Sequence, residues 1–85
     1  MEFYMIYGIT DCPACLRACA LLMERGKEYV FVETDFSSTY RQHLKKQFKW
    51  KTFPIVVAIT DDGEEVVGGY QDLEYIMQKE SNAPL

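Results

Sequence analysis

The apolar positions of this chain switch between continuous runs and a spacing of three to four residues. Glu2-Phe3-Tyr4-Met5-Ile6-Tyr7 is rich in aromatic and β-branched residues and ends at Gly8, which predicts a strand. Over residues 13–25, Cys15, Cys19 and Leu22 fall on one stripe and Leu16, Ala20 and Met23 on the next, which predicts a helix. Pro13 suits its first position, where a missing N–H has no intrahelical partner, and Gly26 suits its stop. Residues 28–34, Glu-Tyr-Val-Phe-Val-Glu-Thr, read as a second strand. Thr39 followed by Gln42 matches a capping box. Tyr40, Leu44 and Phe48 then share one helical face, which leaves Lys45, Lys46 and Lys49 for solvent.

Residues 54–59, Pro-Ile-Val-Val-Ala-Ile, are almost continuously apolar, as expected of a strand covered on both faces. Thr60-Asp61-Asp62-Gly63 reads as a hairpin turn and residues 64–67 as its short return strand, ended by Gly68-Gly69. Leu73, Ile76 and Met77 mark a last amphipathic helix with Asp72 in its first turn. Residues 80–85 are expected to fray. The order β-α-β-α-β-β-α predicts an α/β fold. Its first βαβ unit should be parallel, its last strand pair an antiparallel hairpin, and helices should cover both faces of a four-stranded mixed sheet.

Composition narrows the function. A length of 85 residues suits one domain, so residues 1–85 are read as a single unit with its core at about 2–79. Nine Lys and Arg against thirteen Asp and Glu leave a net charge of −4, which argues against a nucleic-acid partner. No apolar run reaches the roughly 18 residues that read as a membrane span, and the first residues lack the basic start and apolar stretch of a signal peptide. The three cysteines, Cys12, Cys15 and Cys19, crowd into eight residues. Secreted disulfide frameworks spread their pairs along the chain, so a reducing, cytoplasmic setting is expected.

The pair Cys12-Pro13-Ala14-Cys15 carries the chemistry. With Pro13 as the first helical residue, Cys12 is the N-cap. Its sulfur then faces the free N–H groups of the first turn and the positive end of the helix dipole, which favours the thiolate and lowers its pKa. Cys15 lies one turn in, without such donors. Cys12 is therefore expected to attack and Cys15 to resolve. A fall of about three pKa units would raise the thiolate fraction at pH 7 roughly thirtyfold. It would lower intrinsic nucleophilicity by a factor on the order of twenty. Attack gains little and departure gains more, so the site suits exchange. Asp11, adjacent and negative, opposes the shift.

Two other readings stand beside this one. A zinc site would need two further ligands, for which Cys19 and the single histidine, His43, are available. Three cysteines at one helix start make a poor tetrahedral cage, and no metal is expected. Cys19 alone reads best as a small apolar core residue.

Three motifs in order make the chain resemble a glutaredoxin: Cys12-Pro13-Ala14-Cys15, then Thr52-Phe53-Pro54, then Gly68-Gly69 followed by Asp72. The likeness spans residues 2 to about 79. It implies a thioredoxin-like fold and a glutathione-dependent thiol–disulfide oxidoreductase active in cell redox homeostasis and electron transport. The implied catalytic residues are Cys12 and Cys15, with Pro13 supporting the helix start.

The resemblance further implies a cis bond before Pro54, which would turn the backbone of Phe53 toward glutathione beside Thr52. Gly69, Gln71 and Asp72 would hold the γ-glutamyl end and Lys51 the glycine carboxylate. Tyr7 is read either as an edge of the site or as a core residue. Implied partners are glutathione, as co-substrate, and disulfide-bonded or glutathionylated proteins, ribonucleotide reductase among them. The expected species is a monomer. Two departures weigh on this. Ala14 stands where many relatives have an aromatic, and Ile9 where many have Lys or Arg. A redoxin fed by thioredoxin reductase therefore stays open, as does a module holding an iron–sulfur cluster through Cys12 and glutathione. Pro13 speaks against the last.

Overall fold

A computed structural model describes residues 2–81. The elements follow the expected order: β1 (Phe3–Gly8), α1 (Pro13–Glu24), β2 (Tyr29–Glu33), α2 (Ser38–Phe48), β3 (Ile55–Thr60), β4 (Gly63–Gly68) and α3 (Tyr70–Ser81). They build one mixed sheet of strand order β2-β1-β3-β4. β1 runs parallel to β2, with Tyr4 opposite Tyr29, and antiparallel to β3, with Met5 opposite Val57. β3 and β4 form the hairpin, closed by Asp61-Asp62 between the paired Thr60 and Gly63.

The side-chain period of two sorts each strand into two faces. Tyr4 and Ile6 of β1 and Val56 of β3 point toward α1 and α3, where they pack with Ala18, Leu22, Leu73 and Met77. Met5 and Tyr7 of β1 and Ile55 and Val57 of β3 point the other way, to Leu44 and Phe48 of α2. Ile55, Val56 and Val57 are all fully buried, which is why this stretch reads as continuously apolar. Each such residue contributes roughly 1.5–3 kcal/mol of burial. No helix among the described residues is long and apolar enough to cross a membrane.

Local chemistry explains most element ends. α1 stops in a Schellman arrangement. Gly26, at φ +68, donates its N–H to the Met23 carbonyl, and Lys27 donates to the Leu22 carbonyl at 2.9 Å. Three expectations change. Ser37, not Thr39, caps α2, its hydroxyl accepting the Tyr40 N–H at 3.0 Å, so Thr39 lies in the first turn. Lys45 does not stand free in solvent: its ammonium lies 5.5 Å from the centre of the Phe53 ring. α3 continues through residues 80 and 81, so the expected frayed tail loses its first two residues to the helix. The remainder of that tail, 82–85, lies outside the described residues.

Candidate active site

The start of α1 is built as its sequence predicts. Cys12 has extended backbone (φ −118, ψ 96) and is the N-cap, and Pro13 opens the helix. The Cys12 Sγ accepts the backbone N–H of Cys15 at 3.1 Å. Cys12 and Cys15 are joined as a disulfide, with their Cα atoms 5.2 Å apart. The two sulfurs differ in surroundings. Cys15 is 1% exposed, whereas Cys12 is only half-buried. The more accessible sulfur is therefore the one at the helix N-terminus.

The wall behind Cys15 is Gly8, the last residue of β1. A Cβ there would lie 2.9 Å from the Cys15 Sγ and 2.7 Å from Cε1 of Phe31. Only a bare α-carbon lets that sulfur sit so deep. Cys19 is free and half-buried against the α1–α3 core, and burial pushes its thiol pKa up. It has the environment of a packing residue. His43 is exposed on α2, across the sheet from α1, so it and Cys19 cannot join Cys12 and Cys15 around one ion.

Beside the helix start lies a cleft of about 320 Å³. Thr52, Phe53 and Pro54 form one side of it, and Gly69, Tyr70, Gln71 and Asp72 another. The Phe53–Pro54 bond is cis. Pairing of β3 with β1 begins only at Ile55 opposite Tyr7, so the Phe53 backbone stands outside the ladder. At the other wall, Gly69 precedes α3 and its N–H donates to Oδ2 of Asp72 at 3.0 Å. That bond is one half of a capping box, formed with Asp in place of Glu. Asp72 itself is exposed.

The cleft also holds residues that sequence reasoning missed. Ala14 and Arg17 reach it from α1, three residues apart and so on one helical face. That spacing was the available signal. Arg17 supplies a cation on this wall, although Ile9 does not. Trp50 forms the floor between the walls. Its ring approaches Gly68 so closely that a Cβ there would meet Cη2 at 2.9 Å and the Asp72 Oδ2 at 2.6 Å. Gly68 also has φ +123, a backbone that disfavours any side chain. The Trp50 Nε1 is buried with no hydrogen-bond partner among the described residues.

Lys51 and Tyr7, like Cys12 and Cys15 themselves, are not among the residues that line this cleft. Lys51 borders an adjoining recess of about 330 Å³ with Lys49, and Trp50 and Thr52 line both hollows. Tyr7 does not line the cleft. It packs on the α2 side of the sheet, its ring centre 5.5 Å from that of Phe48.

The comparisons agree with this geometry. The family model described as Glutaredoxin matches residues 4–64. The chain belongs to the glutaredoxin family. The glutaredoxin of Brucella melitensis superimposes with a TM-score of 0.66 at 27% identity, over 92% of this chain and 79% of that one. The thioredoxin-like protein BC3987 gives 0.67 at 28% identity, over 88% and 96%. Glutaredoxin 1 of Francisella tularensis, solved with cacodylate, shares the fold at 0.68 and 21% identity, over 98% and 100%. No curated protein matches the chain. Family, fold and the Cys12–Cys15 pair together make this glutaredoxin a thiol–disulfide oxidoreductase.

Proposed function

We propose that this glutaredoxin draws its electrons from glutathione and reduces glutathionylated or disulfide-bonded proteins in a reducing cytoplasm. The observation that carries the reading is the cleft between Phe53-Pro54 and the Gly69–Asp72 helix start, opening beside the α1 N-terminus. A tripeptide thiol needs three things there: main-chain partners for its cysteine, anion donors for its γ-glutamyl carboxylate, and an acceptor for its amino group. The Phe53 backbone, the free N–H groups of α3 and the carboxylate of the exposed Asp72 are of those kinds.

In the proposed cycle the Cys12 thiolate attacks the glutathione sulfur of a mixed disulfide. The Cys12–glutathione bond forms as the substrate–glutathione bond breaks, and the substrate thiolate leaves. A second glutathione thiolate attacks the sulfur of that bound glutathione. It releases glutathione disulfide and returns the Cys12 thiolate, which the Cys15 N–H and the helix dipole hold. On a protein disulfide, Cys12 first forms the mixed disulfide with the protein. Cys15 then attacks Cys12 and expels the second protein thiolate. Two glutathiones, oxidised to their disulfide, restore the dithiol.

The test is turnover of a glutathionylated peptide with NADPH and glutathione reductase. Wild-type protein and Cys15→Ser are expected to turn over, and Cys12→Ser is not. Activity that survives in Cys12→Ser would end this mechanism. A second reading has two observations in its favour: Ile9 leaves residue 9 uncharged, and the thioredoxin-like BC3987 is as similar as the glutaredoxins. Reduction of the Cys12–Cys15 disulfide by NADPH and thioredoxin reductase, with no glutathione present, would select it.

A further inference from the structure

The loop that delivers Cys12 is gripped from outside the cleft. Residues 9–11 join β1 to α1, and Asp11 adopts φ +54, a left-handed conformation uncommon for a residue with a side chain. The connector between β2 and α2 holds this loop with two successive residues. Thr34 is fully buried and donates both its N–H and its hydroxyl to the Gly8 carbonyl, each at 2.8 Å. Asp35 accepts the Thr10 N–H on both carboxylate oxygens, at 3.1 and 3.3 Å, and the Thr10 hydroxyl on Oδ2. Arg41 of α2 fastens the connector in turn, its Nη1 donating to the Thr34 carbonyl at 2.7 Å. The loop is thus held at Gly8 and at Thr10, two residues before the nucleophile. Neither Thr34 nor Asp35 lines the cleft.

We propose that Asp35 is a positioning residue for the Cys12 nucleophile, keeping it at the N-cap of α1 through its double grip on Thr10. The need for such a grip varies over the redox cycle. While Cys12 and Cys15 are bonded, the disulfide itself holds the N-cap sulfur one turn from Cys15. On reduction that link is gone, and the loop alone keeps the sulfur beneath the Cys15 N–H. A loop free to turn would let the sulfur leave its donor for water. The thiolate would then lose the interactions that favour it. Asp35 is itself exposed, so its value does not lie in burying a charge. It lies in binding the main-chain and side-chain donors of one residue together, and its carboxyl is held below the ordinary carboxylate range first of all by that Thr10 hydroxyl.

The inference does not rest on glutathione as electron source, since it concerns the sulfur and not the cleft. Its test is the pH profile of iodoacetamide alkylation of Cys12 in the reduced protein, with the site assigned by mass spectrometry. Asp35→Ala and Asp35→Asn are compared with wild type. Asp11 and Arg17, the charged residues flanking Cys12 on its own loop and helix, are the same in all three.

Asp35→Ala is expected to move the alkylation midpoint upward, with the rate at a pH well below that midpoint falling about threefold for half a unit. Asp35→Asn, which loses the charge and keeps an acceptor, is expected to stay close to wild type. A carboxylate acting through its charge predicts the opposite sign, since both variants would then lower the midpoint. A purely structural contact predicts a lower melting temperature in Asp35→Ala with no movement of the midpoint. Either of these last two results would overturn the proposal. Reduction of 2-hydroxyethyl disulfide should fall in Asp35→Ala by the same factor as turnover of a glutathionylated peptide. A loss confined to the glutathionylated substrate would place Asp35 in glutathione binding and also overturn the proposal.

Discussion

The sulfur of Cys15 rests against the bare α-carbon of Gly8. A methyl group on Gly8 would stand 2.9 Å from that sulfur and 2.7 Å from the Phe31 ring, closer than real Cβ contacts come. The Phe31 ring sits on the sheet's edge strand and can give way, whereas Cys15 is anchored in the first turn of α1. Gly8→Ala is therefore expected to destabilise the protein by about 1–3 kcal/mol through overpacking, read by urea unfolding. Because the crowded sulfur is the resolving one, the variant should also close the Cys12–Cys15 bond more slowly. Monothiol turnover of a glutathionylated peptide should be much less affected, which separates the local effect from a general loss of fold.

Trp50 offers a second test, since it is the one tryptophan of the chain and forms the cleft floor. Its ring faces Gly68 and Gly69, directly under the start of α3. A ligand seated between Phe53 and Asp72 must change its surroundings. Titration of the reduced Cys15→Ser protein with S-methylglutathione, which cannot exchange, should give a saturable change in tryptophan emission. Trp50→Ala should cost about 2–3 kcal/mol, because a half-buried ring leaves a smaller hole than a core one. It should also raise the hydrogen-exchange rate of the Gly69 amide. Unchanged exchange there would mean the ring does not support the helix start.

Asp72 can be divided into two jobs by substitution. Its Oδ2 accepts the Gly69 N–H, and an amide oxygen can do the same. Asp72→Asn should thus keep nearly all the stability, while Asp72→Ala should lose about 1 kcal/mol. Binding of an amino group needs the charge. Both variants should therefore raise KM for a glutathionylated peptide, by about tenfold for a charge-assisted bond. Neither should alter KM for 2-hydroxyethyl disulfide. Equal effects on the two substrates would leave Asp72 with a capping role alone.

How far the sequence carried this reading depends on how local each cause is. The Cys12 N-cap and Pro13 at the first helical position were legible because capping chemistry acts within four residues. The buried run at Ile55–Val57 was legible because both faces of β3 are covered, which leaves no polar alternation. Ser37 and Thr39 were not separable in this way, since two hydroxyls two residues apart both suit a cap. Trp50 and Asp35 were missed for a stronger reason. The ring of one is placed by Gly68 and the carboxylate of the other by Thr10, partners 18 and 25 residues away, and no local pattern marks such pairs. Tyr7 shows the converse. Its position in β1 was clear, but the alternation that buries Ile6 toward α1 sends Tyr7 to Phe48, away from the cleft.

The last expectation concerns alkaline stability and rests on Tyr4. Its side chain is 4% exposed in the core between the sheet and the α1–α3 layer. Burial, followed by the charges of Glu2 and Glu80, raises its pKa to about 12 from the ordinary 10. The folded state thus keeps this proton after the unfolded state has released it. The resulting stabilisation is complete below pH 10 and is lost as pH rises from 10 through 12. Tyr7 and Tyr70 are shifted in the same direction by burial and add to the slope. The hydroxyl of Tyr4 makes only a long contact of 3.5 Å to the Glu2 carboxylate. Tyr4→Phe should accordingly keep stability at pH 7 within about 0.5 kcal/mol, and flatten the decline above pH 10. Urea unfolding of the oxidised protein at pH 7 and pH 11 measures both. If the variant and the wild type lose stability equally between those two values, Tyr4 does not hold its proton through burial.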